Sequence, residues 1–143
     1  GTDMGRSPSG KHLASWAGVC PGNNQSGGKR LGGETTRGDT WLRGVLGEVA
    51  RVIARAKGTY LHAQYHRIAR QRGKYRAVVA VMHSVLVIVC HMLRDGRPYA
   101  ELGPDYFDRR QADRLEQHHV KRLNALGYCV TLTPFPPADP VPA

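Results

Sequence analysis

A short run near the amino-terminal end combines the groups that phosphate chemistry requires. Residues 23–30, NNQSGGKR, place one hydroxyl, Ser26, beside two glycines and two cations, Lys29 and Arg30. Glycine lets the backbone approach an anion closely, and its N–H groups can face phosphate oxygens. A serine in this setting can attack phosphorus if a base takes its proton. The run therefore predicts either a serine nucleophile or a flexible basic loop.

Other common site patterns are incomplete in this chain. No strand is followed by a Gly-x-x-x-x-Gly-Lys-Ser run, so nucleotide hydrolysis is not supported. His62 and His66 have the one-turn spacing of metal ligands, but no third ligand stands at a recognisable spacing, so no metal site is predicted. Cys20, Cys90 and Cys129 are odd in number and far apart, which predicts free thiols in a reducing cytoplasm.

The charge balance predicts a polyanionic partner. The chain of 143 residues has 21 Lys plus Arg against 11 Asp plus Glu, which gives a net charge of +10. DNA, RNA and an acidic membrane surface are the partners that such a charge attracts. From Arg43 to Arg76 there are nine basic residues and one acid, Glu48, which is more positive charge than a solvated face needs. Composition therefore favours contact with a polynucleotide.

The elements that position these residues are predicted to be mainly helical. Ten of the 17 glycines precede Thr40 and five of the nine prolines follow Leu132, so regular structure lies mostly between them. Residues 22–38 form one long polar loop in this prediction, and loops of that length are usually functional or disordered. Helices are predicted over 11–17 with Ser9 as N-cap, over 41–57 with Asp39 or Thr40 as N-cap, and over 59–72, 74–94 and 109–126.

The predicted fold is mainly α: a small bundle of about four main helices with a long Gly-rich basic loop and a short C-terminal strand. The alternating, β-branched run 128–133 predicts that strand. Residues 1–133 are expected to form one domain, and residues 134–143 a disordered Pro-rich tail. The helix 41–57 is expected to bury one apolar stripe, made of Trp41, Leu42, Val45, Leu46, Val49, Val52 and Ile53.

The most apolar segment of the chain admits two interpretations. Residues 77–93 are almost continuously apolar, but they include His83, Ser84 and His91. A membrane span needs about 20 apolar residues. The segment falls short of that length, so we predict a buried core helix. A small basic protein associated with a membrane through this helix remains an alternative.

Several longer runs resemble a known family of mobile-element proteins. LASWAGVCPGNNQSGGKR and TTRGDTWLRGVLGEVARV are similar to the C-terminal domain of insertion-sequence transposases of family one hundred and ten, which are DEDD-type and guided by a bridge RNA. The likeness continues through TYLHAQYHRIARQRGKYRAVVAVMHSVLVIVCHMLRDGRPYAELGPDYFD and the closing LNALGYCVTLTP. It covers nearly everything from Gly1 to Pro134. The family's RuvC-like domain is not in this sequence, so we expect an N-terminally incomplete serine domain.

This resemblance implies a role in DNA binding, strand cleavage and strand transfer of an insertion sequence. By motif match, Ser26 is the nucleophile that forms a phosphoserine link with DNA. The cations expected to contact nucleic acid are Lys29, Arg30, Arg37, Arg43, Arg51, Arg55, Arg67 and Arg70. Without the acidic residues of the RuvC-like domain, we expect this chain to be inactive alone.

The resemblance also implies partners. A divalent metal such as Mg²⁺ is expected in the RuvC-like domain, so no cofactor and no metal ligand are expected in this chain. A guide (bridge) RNA is expected to select the target, and the full-length protein is expected to be a homo-oligomer in the bacterial cytoplasm, with no membrane partner. The alternative is a non-catalytic basic helical module that binds DNA or RNA, or a degenerate transposase remnant.

Overall fold

The computed structural model describes Ser7, residues 9–20 and residues 24–133, without the side chains of Asn24, Arg30 and Leu31. The chain divides into two compact units, Gly1–Tyr106 and Phe107–Ala143. The predicted tail, 134–143, lies outside the described residues.

The described residues are mainly helical, which confirms the predicted fold class. The first unit contains α1 (Gly10–Trp16), β1 (Asn24–Ser26), β2 (Lys29–Gly32), α2 (Thr40–Ile53), α3 (Tyr60–Arg72) and α4 (Lys74–Asp95). A short helix, α5 (Tyr106–Arg110), begins where the first unit ends, and α6 (Ala112–Ala125) belongs to the second. The predicted long loop therefore contains an antiparallel two-stranded hairpin, β1–β2.

The core of the first unit is built around α4. The helices α1, α2 and α3 each pack against it. The buried core cluster comprises Ala14, Ala17, Val19, Leu46, Ala50, Val81, Met82 and Leu86. Among the described residues, α4 is the one helix long and apolar enough to cross a membrane, and 28% of its most apolar stretch is buried. Three helices pack against α4, but most of this stretch is not buried, so the prediction of a buried core helix is confirmed only in part.

Three helices of the first unit begin at residues whose side chains accept a backbone hydrogen bond. Such caps satisfy N–H groups that have no partner inside the helix. The three contacts run from His12 N to Ser9 Oγ (3.4 Å), from Leu42 N to Asp39 Oδ1 (2.6 Å) and from His62 N to Thr59 Oγ1 (3.2 Å). The predicted caps at Ser9 and Asp39 are therefore confirmed.

The carboxyl end of α2 lies against two histidine rings of α3. His62 Nδ1 is 3.3 Å from the carbonyl oxygen of Ile53, and His66 Nε2 is 3.3 Å from that of Ala54. Because a carbonyl only accepts, each of these ring nitrogens donates. His66 therefore donates to the Ala54 carbonyl at the end of α2, while the Ile53 carbonyl accepts from His62 and also from the Ala56 N–H. This contact accompanies the end of the helix at Ile53, before the predicted end at Lys57.

The expected burial of α2 is wrong in part. Leu46 and Ala50 are buried, and Leu42 and Ile53 are half-buried against the core. The other predicted members of the stripe are exposed: Trp41 (77%), Val45 (42%), Val49 (37%) and Val52 (66%). The seven predicted positions cover two adjacent faces of one helix, about 100° apart. Only one of these faces packs against the core cluster.

Two glycines let distant backbone segments cross at the base of the hairpin segment. A Cβ built on Gly18, whose φ is +68°, would lie 2.7 Å from both the Gly38 nitrogen and the Thr36 carbonyl oxygen. A Cβ built on Gly38 would overlap backbone atoms of Ala17 and Gly18. Neither neighbour is a flexible side chain that could move aside. Only glycine therefore fits at both positions.

We expect Gly38→Ala to lower the free energy of unfolding by about 2 kcal/mol or more, because the methyl group meets backbone atoms. Gly44→Ala is the matched control. The space at Gly44 is open and the position is exposed on α2, so alanine there should raise the free energy of unfolding by up to about 1 kcal/mol. Urea unfolding followed by circular dichroism measures both. Equal effects of the two substitutions would contradict the crossing.

A carboxylate from the segment after α4 caps the first turn of α3. Glu101 Oε1 accepts from the backbone N–H of Tyr60 (2.7 Å) and from that of Gly103 (3.0 Å). The Tyr99 hydroxyl donates to Glu101 Oε2 at 3.2 Å. The Tyr60 ring meets that of Tyr106 edge to face, with centroids 5.1 Å apart. The segment after α4 is thereby fixed to the amino end of α3.

These contacts shift two pKa values in opposite directions. The hydrogen bond from the Tyr60 N–H is the main cause that lowers the pKa of Glu101, because it favours the ionised carboxylate. Burial and the adjacent Glu101 charge raise the pKa of Tyr99 to about 12, because both disfavour the phenolate. At neutral pH the pair is therefore a neutral phenol donating to a carboxylate.

We expect Glu101→Gln to cost about 0.5–1 kcal/mol of folding free energy at pH 7, because the amide retains an acceptor but not the charge. The lowered pKa favours folding above the usual glutamate value of 4.5. That contribution is lost as the pH falls through the lower folded value. The stability difference between variant and parent should therefore shrink in acid.

Urea titrations at neutral pH and near pH 3 test this expectation. The control is Glu116→Gln, an exposed acid of α6. A difference that stays constant with pH would contradict the capping role.

The second unit is described by α6 and the residues that follow it. None of the residues of α6 is buried, and Gly127, with a φ of +91°, follows its end. The Gly127 N–H donates to the carbonyl of Asn124 at 3.0 Å. The predicted strand at 128–133 is wrong, because these described residues form no strand. Alternation alone does not make a strand where no neighbouring strand supplies ladder hydrogen bonds.

Candidate nucleic-acid interface

The hairpin places Ser26 at the edge of a tight glycine turn. Ser26 and Lys29 are cross-strand partners, and Gly27 and Gly28 connect them. The φ angles of these glycines, +57° and +76°, are both positive, as a type I′ turn requires. The two glycines beside the serine therefore have a structural role. The turn that joins the strands needs positive φ angles, which residues without Cβ atoms adopt readily.

The tip of the hairpin is open to large molecules. Gln25, Ser26, both glycines and Lys29 are exposed, and the space around both glycines is free of other atoms. Within the part of the chain that the structure describes, the Ser26 hydroxyl has no hydrogen-bond partner. The arrangement presents a hydroxyl and an ammonium group on opposite strands of one narrow ribbon. Among the described residues, no basic side chain forms a hydrogen bond with the serine.

The return from the hairpin to α2 is held by an arginine. Arg43 Nη2 donates to Thr35 Oγ1 at 2.8 Å, and Nη1 donates to the Thr36 carbonyl at 3.4 Å. The Arg43 side chain is half-buried by these contacts. These hydrogen bonds fix the segment between β2 and α2. A contact between Arg43 and phosphate stays a prediction. Sequence reasoning missed this role because any surface-helix arginine has the same signature.

The other predicted cations lie on several elements. Arg37 is exposed in the segment before α2, and the side chain of Arg30 lies outside the described residues. Arg51 and Arg55 are exposed on α2, where Arg51 pairs with Glu48 one turn away. An exposed pair of this kind contributes little stability, so it leaves the guanidinium available. Arg67 and Arg70 are exposed on α3.

No metal centre assembles among the described residues. No group of three or more His, Cys, Asp or Glu side chains there could hold an ion. His62 and His66, the pair with ligand-like spacing, instead contact the end of α2, and their ring centroids lie 4.3 Å apart. The contacts of these two histidines are therefore structural.

The comparison with protein families matches part of the chain. Residues 2–66 match the family model described as Transposase IS116/IS110/IS902 family. The match spans the hairpin with Ser26, all of α2 and the first half of α3, and it covers less than half of the chain. Searches of curated proteins and of solved structures found no significant match. This part of the chain is thus related to a transposase domain.

We expect Gly28→Ala to loosen the hairpin without unfolding the helices. An L-residue with a side chain in the left-handed region costs about 1–2 kcal/mol, so the backbone amides of β1 and β2 should exchange about tenfold faster or more. The matched control is Gly32→Ala on β2, where the space is open and no positive φ is required. Hydrogen exchange measured residue by residue distinguishes them, and equal protection in both variants would contradict the turn type.

Proposed function

We propose that this chain is a DNA-binding, serine-bearing domain of a transposase, which acts in cleavage and strand transfer of an insertion sequence. The observation that carries the proposal is the exposed Ser26 beside the Gly27–Gly28 turn, within a segment that matches a transposase family. An attacking hydroxyl must reach a phosphorus atom in a polymer. A two-residue turn on a protruding ribbon offers that access.

In the proposed reaction, the Ser26 oxygen bonds to a DNA phosphorus as the strand's own ester oxygen leaves. The product is a phosphoserine link, and the hydroxyl of a second strand later displaces the serine from it. The serine proton must pass to a base. The described residues offer none bonded to Ser26, so the base belongs to the assembled complex. This requirement agrees with the expected inactivity of the chain alone.

The cations provide binding rather than chemistry in this proposal. Lys29 is the cross-strand partner of Ser26, which supports a role in neutralising a phosphate next to the one attacked. Arg37, Arg51, Arg55, Arg67 and Arg70 extend the positive surface along the chain. Such contacts set orientation on the backbone and carry no sequence information. Target choice through a guide RNA fits this division of roles.

The further partners belong to the same proposal. Divalent metal would be held by a RuvC-like domain, and the complete protein would assemble as a homo-oligomer in the bacterial cytoplasm. Each of these elements follows from the family resemblance. The salt-dependent binding of DNA by this chain does not require any of them.

Strand transfer tests the nucleophile. The chain is joined to a related domain that carries the four acids and is supplied with guide RNA. We expect a covalent protein–DNA species and strand exchange with Ser26, and neither with Ser26→Ala. Gln25→Ala, one residue away and equally exposed, is the matched control. Strand exchange that survives Ser26→Ala would sink the assignment.

Binding by the unaltered chain tests the DNA role separately. Affinity for duplex DNA should fall steeply between about 50 and 200 mM salt, because each neutralised phosphate releases counterions. Lys29→Gln should reduce the slope by about one, and Lys121→Gln on α6 is the control. Binding indifferent to salt would contradict the role.

The second candidate is a non-catalytic DNA- or RNA-binding module. The observation that favours it is the lack of a described base at Ser26, together with the positive charge on α2 and α3. It shares the salt dependence but predicts no covalent species in the strand-transfer test.

A further inference from the structure

We propose that the corner between α3 and α4 binds an unpaired nucleic-acid strand, in which Tyr75 stacks on a base and four cations hold the flanking phosphates. The corner consists of residues 70–76, RQRGKYR, and its cations are Arg70, Arg72, Lys74 and Arg76. The inference deepens the proposed nucleic-acid role and does not depend on Ser26.

The corner is a one-residue turn that gathers these side chains at one end of a helix pair. α3 ends at Arg72 and α4 begins at Lys74, and Gly73 between them has a φ of +88°. All residues of the corner are exposed. The two helices pack along each other, which fixes the turn between them. The four cations therefore project from a fixed support.

Within the described part of the chain, no acidic side chain pairs with the cations of the corner. Residues 49–94 contain no Asp or Glu. Within the described residues, none of the four cations forms an ion pair or a side-chain hydrogen bond. The first turn of α4 also has no acid and no side-chain cap, so Lys74 and Arg76 stand at the positive end of a helix dipole. A bound phosphate backbone would relieve this repulsion.

The tyrosine of the corner distinguishes an unpaired strand from a duplex. Tyr75 is 77% exposed, and among the described residues neither its ring nor its hydroxyl has a partner. Tyr60 and Tyr99, by contrast, contact Tyr106 and Glu101. Bases in a duplex already stack on each other, whereas an unpaired base can stack on an aromatic ring. An isolated aromatic ring among cations is the combination that binds single strands.

The test uses the full chain and labelled oligonucleotides of about 16 nucleotides: oligo-dT, oligo-U and duplex DNA. Fluorescence anisotropy measures each affinity. Tyr75→Ala should weaken binding to the single strands about fivefold to a hundredfold and leave duplex binding unchanged, while Tyr75→Phe should restore it. The matched control is Tyr128→Ala, whose side chain is 65% exposed. Arg72→Gln and Lys74→Gln should each reduce the salt slope of single-strand binding by about 0.7, while Arg114→Gln on α6 should not.

A preference for DNA or for RNA supports the proposal and identifies the strand. Unchanged single-strand affinity in Tyr75→Ala, or an equal loss for duplex DNA, overturns it. The two proposals can fail separately: salt-dependent duplex binding with no effect of Tyr75→Ala refutes only this inference. Strand exchange that survives Ser26→Ala, combined with loss of single-strand binding in Tyr75→Ala, refutes only the nucleophile.

Discussion

At Gly18 and Gly38 two backbone segments pass in direct contact, with no room for a β-carbon on either. This crossing closes the base of a segment that leaves α1 and returns to α2. Arg43 adds hydrogen bonds to Thr35 and Thr36 on the returning side. The hairpin can therefore project a polar tip into solvent while its base stays attached to the helical core. Access at the tip and rigidity at the base follow from the same contact.

The helical core supports the hairpin and the α3–α4 corner. α4 provides the largest share of the buried side chains, and α1, α2 and α3 lie against it. This arrangement leaves the hairpin tip at one place on the first unit and the α3–α4 corner at another. Both surfaces are exposed, as contact with an extended polymer requires. Both surfaces are basic, and the described residues of neither surface form a metal site.

The sequence predicted α1 to α4 well because their signals are local. The predicted helix 109–126 is wrong at its start, because α5 ends at Arg110 and α6 begins at Ala112. Ser9 and Asp39 cap the helices that they precede, and Gly73 and Gly127 follow helix ends. The hairpin was missed because β1 and β2 are short and polar, without the alternation that indicates a strand. The strand at 128–133 was predicted on alternation and lacks a partner. The cap of α3 by Glu101 could not be predicted, because the two groups are 41 residues apart.

The sequence predicted which residues make up the candidate site, but it could not predict how they are arranged in space. Ser26 and Lys29 are three positions apart in the sequence, and the register of the strands explains why they face each other across the ribbon. The double role of Arg43 and the second apolar face of α2 depend on tertiary packing. Trp41 shows the difference most clearly: it has the spacing of a core residue and is 77% exposed.

The acid-free run from residue 49 to residue 94 makes dissolved salt act on this molecule in two ways that add to each other. Ions in solution screen the mutual repulsion of its own arginines and lysines, and so relax a strain carried by the empty protein. The same ions compete with the chain for a polyanion and loosen that complex. Ionic strength thus shifts the balance from the occupied towards the vacant form from both sides at once.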